Sequence, residues 1–334
     1  MKSMKNLLIS GALAAGLLFN TSVASAADNQ TKAKNEGWDV PSAALGNGLT
    51  SDERLKTLEL LGVKENDSFN EFTVNGDDLV KYVTDVPEFT SASLAYSSAF
   101  IVRTKDNSGV NVEIVTPKNI TARTEANYRN AAITSGVYDA DIRIASVRVM
   151  DGSGALAGIY KIYDEVDPAA SEAEKQERAA SRDVAQKESA VTAEITRANE
   201  GEENFSDENL AVAMADIKLE LQKINEKLDK LSEAEVRQEI TQIVQVELQN
   251  QGLSEVVTPE QQDKIVDTMI AFQNSPSIDN ENLQTQLGEL KDDIMKNGQE
   301  FLDNAKEKLT SEEAQGFFSS LWDRISSFFS NLFS

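Results

Sequence analysis

The 334-residue chain carries 56 Asp and Glu against 32 Lys and Arg, a formal charge of −24, and it holds neither cysteine nor histidine. Disulfides, thiolate nucleophiles, Cys- or His-bearing zinc centres, Ser-His-Asp catalysis and histidine pH switches are thereby excluded. What survives is carboxylate, Lys, Tyr or Ser–Lys chemistry, or oxygen-only coordination of a hard cation, and no cofactor or metal is expected.

Lys2 and Lys5 precede the apolar run Leu7 to Phe19, which leads into Ala24-Ser25-Ala26 and Ala27. These are the n, h and cleavage regions of a secretory signal peptide, with the cut expected after Ala26. The apolar run is too short to cross a bilayer, where about 20 residues are needed. Cleavage would remove two lysines and no acid, taking the charge from −24 to −26. Such a surface repels nucleic acid and anionic headgroups. Without cysteine no lipoprotein anchor can form, and no wall-sorting signal is visible, so a secreted protein is expected, peripheral to the cell envelope at most.

Residues 27–48 read as a polar leader broken by Gly37, Pro41, Gly46 and Gly48. An α+β domain is expected over 49–168. Thr50 or Ser51 caps a helix with the apolar face Leu55, Leu58 and Leu61, stopped by Gly62. Phe69 to Val74 alternates as a strand, and Asp77 or Asp78 opens a short helix through Val83. Tyr96, Phe100 and Val102 face Val110, Val112 and Ile114 across a polar turn, which predicts a β-hairpin. Thr124 opens a helix through Ile133 that Gly136 closes. Ile142, Ile144, Val147 and Val149 predict a buried strand parallel to a hairpin strand, followed by a helix from Ser153 through Ile162.

Beyond Pro168 the composition turns to Ala, Glu, Lys, Gln and Arg, and an all-α bundle or coiled-coil region is expected over 169–309. It is also the more acidic part, −18 against −8 for Ala27–Pro168. Leu210, Met214, Ile217, Leu221, Ile224, Leu228 and Leu231 form a heptad seam, more readily an internal core than a partner-helix site. Ser232 with Glu235 and Thr258-Pro259 mark two further helix starts. A longer helix follows on Leu283, Leu287, Leu290, Ile294, Phe301 and Leu309, weakened at Gly288 and Gly298. Over 310–334 an amphipathic helix is expected, capped by Thr310 and Glu313. One face gathers Phe317, Phe318, Leu321, Trp322, Ile325, Phe328, Phe329, Leu332 and Phe333. That stripe suits a membrane interface or another envelope component, and equally suits packing on the bundle or on a second copy.

Two blocks carry a family resemblance. One is Leu45-Gly46-Asn47-Gly48-Leu49-Thr50 with Leu60-Leu61-Gly62-Val63. The other runs from Asn119-Ile120-Thr121 through Tyr128, Ala132-Ile133-Thr134-Ser135-Gly136-Val137, Asp139-Ala140-Asp141 and Gly154-Ala155-Leu156-Ala157-Gly158 to Ile159-Tyr160-Lys161. Together they resemble the YpuA-like secreted proteins of Gram-positive bacteria, a family of unknown function. The resemblance covers about Gly37 to Glu165 and, less clearly, the helices after it. It implies export and a shared fold, and it supplies no catalytic residue.

Among candidate sites, Asp151-Gly152-Ser153-Gly154 joins a strand to a helix and could present N–H groups to an anion, against the plainer reading of capping and close packing. Asp139 with Asp141, and Asp77 with Asp78, could pair as catalytic carboxylates or bind calcium, but none fits a calcium loop and turn roles are the simpler expectation. The function expected is a non-enzymatic binding or scaffold module at the Gram-positive surface. The alternative is a carboxylate-dependent hydrolase acting on a cell-wall polymer.

Overall fold

A computed structural model describes residues 40–294, apart from positions 65, 106, 107, 167–169, 200, 201, 203, 204, 281 and 293. The signal-peptide region and the amphipathic stripe Phe317 to Phe333 lie outside the described residues, as do Phe301 and Leu309. Within the described residues five strands form one mixed sheet: β1 (Ser42–Gly46), β2 (Asn70–Val74), β3 (Ser98–Arg103), β4 (Val110–Ile114) and β5 (Ala140–Ala145), in the order β2-β1-β3-β5-β4. The helices are α1 (Ser51–Leu60), α2 (Gly76–Tyr82), α3 (Glu125–Ser135), α4 (Ser153–Glu165), α5 (Glu172–Ala198), α6 (Asp207–Leu228), α7 (Glu233–Asn250) and α8 (Pro259–Gln273). A last helical stretch covers 283–292.

Strand β1 is the first departure from expectation, because it lies within the stretch read as polar leader. All five of its residues are buried. It runs parallel to β2 and antiparallel to β3. Ala43 and Leu45 pack with Leu58 and Leu61 on the α1 side. Ala44 faces the other way, so close to α4 that a Cβ on Gly158 would stand 2.8 Å from its methyl group. A strand covered on both faces needs no polar alternation, and small side chains let helix and sheet approach closely.

The expected hairpin does not form. β3 and β4 are separated by β5, which pairs antiparallel with β3 and parallel with β4. Period-two alternation fixes which face a residue occupies and leaves the partner strand open. The β3–β4 link is held past the start of β5 by Asp139, whose carboxylate accepts from the N–H groups of Ser108 (2.9 Å) and Gly109 (3.1 Å). The predicted parallel crossover is present as β4–α3–β5. β5 ends at Ala145, so Val147 falls beyond it, and Val149 is 65% exposed.

Local chemistry sets the helix ends. Thr50, Asn75, Thr124, Ser171, Ser232 and Thr258 each cap a helix in a reciprocal box with the residue three positions on. Asn75 therefore opens α2, and Asp78 is the side chain that returns to it, while Asp77 is exposed. Gly136 takes the left-handed conformation that closes α3. Leu55, expected on the apolar face of α1, points outward at 62% exposure.

On the sheet face opposite α1, α4 covers β1, β2 and β3, and α3 covers β4. Helix α5 packs across α3 and α4, with α6 and α8 beyond. One continuous apolar core runs from Val74 and Ile144 in the sheet through Met214 and Phe272 to Leu290. The heptad seam of α6 is spent inside it, with Leu210, Met214, Ile217, Leu221 and Leu228 buried and Ile224 and Leu231 partly so.

Candidate functional site at the strand-to-helix turn

The strand directions place the C-terminal ends of β1, β2, β4 and β5 on one edge of the sheet. In open sheets with parallel strands this is the edge where ligands bind. Here it gathers the Gly46–Thr50 loop, the start of β3 and the turn Asp151-Gly152-Ser153-Gly154. Gly152 has φ +96°, where an added Cβ would collide with the Tyr128 hydroxyl. A Cβ on Gly154 would stand 2.7 Å from the Ser97 carbonyl oxygen, so that glycine lets α4 seat on the sheet.

Arg123 lies beneath this turn. Its Nη2 donates to both oxygens of Asp85, at 2.8 and 3.0 Å, and reaches Ser153 Oγ at 3.4 Å. Both charged side chains are 4% exposed, and Arg123 Nε has no hydrogen-bond partner. Burial alone pulls the guanidinium down, and the charges of Asp85 and Asp151 with the Asp85 hydrogen bonds more than reverse it, so it stays ionised. Arg197, at the end of α5, adds a second cation to Asp85 at 3.3 Å. Burial pushes the Tyr128 hydroxyl well above the ordinary phenol range, and as a neutral donor it bonds Gly152 O at 2.9 Å.

The anion seat suggested by the sequence is filled by the protein itself. Ser153 N donates to Asp151 Oδ1 at 3.0 Å, and Ala155 N donates to Ser97 Oγ at 3.0 Å. The Ser153 hydroxyl donates to Asp151 Oδ2 at 2.6 Å and is buried at 1% exposure. The turn thus links α4, the Arg123 segment and the start of β3 into one hydrogen-bonded corner. Beside it, Arg148 lies 4.3 Å over the Tyr96 ring and bonds both oxygens of Glu53, at 2.7 and 3.0 Å. Those bonds, with the Thr50 cap, hold the Glu53 carboxyl down at about 2.

The carboxylate pairs do not converge. Asp139 is committed to the turn described above, while Asp141 is exposed on β5 between Val102 and Asn111. Asp78 accepts from Lys161 Nζ at 2.9 and 3.0 Å, and Asp77 faces solvent. Among the described residues no group of three or more acidic side chains could hold a metal ion, and no helix is long and apolar enough to cross a membrane.

Sequence reasoning passed over a second buried charge centre. Lys218 on α6 is 0% exposed, and its Nζ donates to Glu188 Oε1 (2.8 Å), Thr134 Oγ1 (3.0 Å) and Asn130 Oδ1 (3.2 Å). Thr134 in turn donates to Glu188 Oε2 at 2.7 Å. All three ammonium protons are used, which is the condition for a buried pair to be tolerated. The signal was present: Lys218 belongs to the apolar stripe Met214, Ile217, Leu221, and Glu188 to the stripe Val184, Val191, Ile195. A charge on a core-facing stripe calls for an opposite charge across the interface.

The sheet with its helical cover and internally satisfied charge centres define an α+β protein with a large helical extension. A family described as "Protein of unknown function (DUF1002)" matches residues 45–290, and the chain belongs to that family. It is 30% identical over 288 residues to "Uncharacterized protein YpuA" of Bacillus subtilis (strain 168), covering 85% of this chain and 88% of that protein. No solved structure matches the chain.

Proposed function

We propose that the protein is an exported, non-enzymatic binding or scaffold module of the Gram-positive cell envelope, held there by its C-terminal amphipathic helix. The observation that carries the non-enzymatic part is the state of the buried carboxylates. Asp78, Asp85, Asp164 and Glu188 each face a cation, and Asp139 faces two backbone N–H groups. A glycoside hydrolase needs two carboxyl groups flanking an open space, one of them free to carry a proton to the leaving group. Carboxylates already bound to a cation or to backbone donors suit that task poorly. The export part rests on Lys2, Lys5, the apolar run and Ala24-Ser25-Ala26, and the retention part on the Phe317–Phe333 stripe.

The test is to incubate the purified mature protein with peptidoglycan and with teichoic acid, then assay both the sedimented protein and the soluble products. Co-sedimentation without product is the expected result. Release of product that disappears in Asp139→Ala or Asp141→Ala would replace this reading with that of a wall hydrolase. Deleting Phe317–Ser334 should release the protein from membranes or dissociate its oligomers. Unchanged fractionation and unchanged mass on sizing would remove that role from the stripe.

A further inference from the structure

The buried centre around Lys218 brings together an amine, a carboxamide and a carboxylate, one from each of three helices. Lys218 on α6 is wholly buried, and Glu188 on α5 and Asn130 on α3 are 1% and 4% exposed. Lys218 Nζ stands 2.8 Å from Glu188 Oε1 and 3.2 Å from Asn130 Oδ1. An ammonium only donates, so the amide turns its carbonyl toward the lysine. The carbonyl carbon Cγ lies one bond, about 1.23 Å, beyond that oxygen. Thr134, one turn after Asn130 on α3, donates to the other Glu188 oxygen at 2.7 Å and so helps aim the first at Nζ. Met214, Ile217 and Leu221 beside the lysine are all buried, so the three groups meet away from water.

These are the parts of an amide exchange. We propose that Lys218 and Asn130 join in an intramolecular isopeptide bond, with Glu188 moving the protons. Nζ first passes a proton to Glu188 along their hydrogen bond, which turns the buried ion pair into a neutral amine and a neutral acid. The free electron pair of Nζ forms the new bond to Asn130 Cγ, the Cγ–Nδ2 bond breaks, and NH3 leaves. Of the two protons that Nζ gives up, one departs in the ammonia and the other stays on Glu188, so charge balances and nothing is oxidised or reduced. Holding amine and amide in contact removes the entropic cost of a bimolecular encounter, and the dry site keeps water from competing for the carbonyl. The products carry no buried charge, which relieves the desolvation penalty of the ion pair. The bond closes a span of 88 positions and ties α3, packed on the sheet, to α6 in the helical extension. In a chain without cysteine it constrains the unfolded state as a disulfide would. The step occurs once per chain and acts on no outside substrate. The ion-pair energetics of Lys218 belong to the chain before the bond closes, and melts of Lys218 variants are compared with that unjoined chain.

The intact mass of the purified full-length protein, measured after denaturation, tests the bond. Loss of one ammonia should place it about 17 Da below the mass of its sequence. After tryptic digestion, the peptide carrying Asn130 and the peptide carrying Lys218 should travel as one branched species. Asn130→Ala and Glu188→Gln should each restore the full mass, with circular dichroism showing that the variant is folded. The wild-type mass and the branched peptide decide the matter even where a variant fails to fold. Full mass in folded wild type, ammonia loss mapped to other residues, or a loss undiminished in either variant would overturn the proposal.

Discussion

Replacing Lys218 with methionine keeps most of the side-chain length and removes the ammonium that holds three groups together. Glu188 is then left at 2% side-chain exposure without its cation, and among the described residues the Thr134 hydroxyl is the side-chain donor that remains to it. Breaking a buried pair by deleting one partner costs about 3–5 kcal/mol, most of it the stranded charge. For a cooperative unit of this size each kcal/mol is about 2–4 °C in melting temperature, so Lys218→Met should melt about 6–20 °C below wild type. The double variant Lys218→Met/Glu188→Leu should recover most of that loss, because both charges are gone and apolar volume replaces them. It should stop short of wild type, since Thr134 and Asn130 lose their partner. Thermal melts of the single and double variants decide the matter. A cost below about 1 kcal/mol for Lys218→Met, typical of solvated surface pairs, would mean that the centre is wet and would refute the reasoning.

Stability should rise as pH falls from about 8 to about 5. Burial raises the folded-state pKa of Asp207, Asp216 and Glu247, so the native state binds protons more tightly than the unfolded chain and gains as pH drops through those values. Further acidification reverses the trend, because Glu53, held at about 2, and Glu235, also lowered, contribute stability that is lost as pH falls below the ordinary carboxylate range. Melting curves at high salt, which screens the self-repulsion of a chain of charge −24, should show a maximum near about pH 5, and a steady fall from pH 8 downward would contradict this. Ala44→Leu should cost about 1–3 kcal/mol by forcing α4 off β1, and a neutral result in urea unfolding would mean that β1 is not clamped between two layers.

Wherever a cap or a period decided the matter, the fold was legible. Thr50, Thr124, Gly136, Ser232 and Thr258-Pro259 end or begin helices as their chemistry requires, and the seam from Leu210 is core. Two kinds of information were absent. Ser42-Ala43-Ala44-Leu45-Gly46 is a central strand made of residues that pattern as nothing, because burial on both faces removes alternation and close helix packing selects small side chains. The partner of β3 was equally invisible, since the period of two is the same whether β4 or β5 lies alongside. At the candidate site, the Asp151–Gly154 turn was visible as a motif. Its occupant was not, because the bonds from Ser153 N to Asp151 and from Ala155 N to Ser97 depend on tertiary placement. Arg123 and Asp85, 38 positions apart, carry no pattern that joins them.

The envelope reading is tested most directly by fractionating cells that express the full-length chain and identifying its N-terminus by mass spectrometry in each fraction. A protein that begins at Ala27 and is recovered from the surface or the medium is the predicted result. Intact chain with Met1 in place, dissolved in the cytosol, would contradict it.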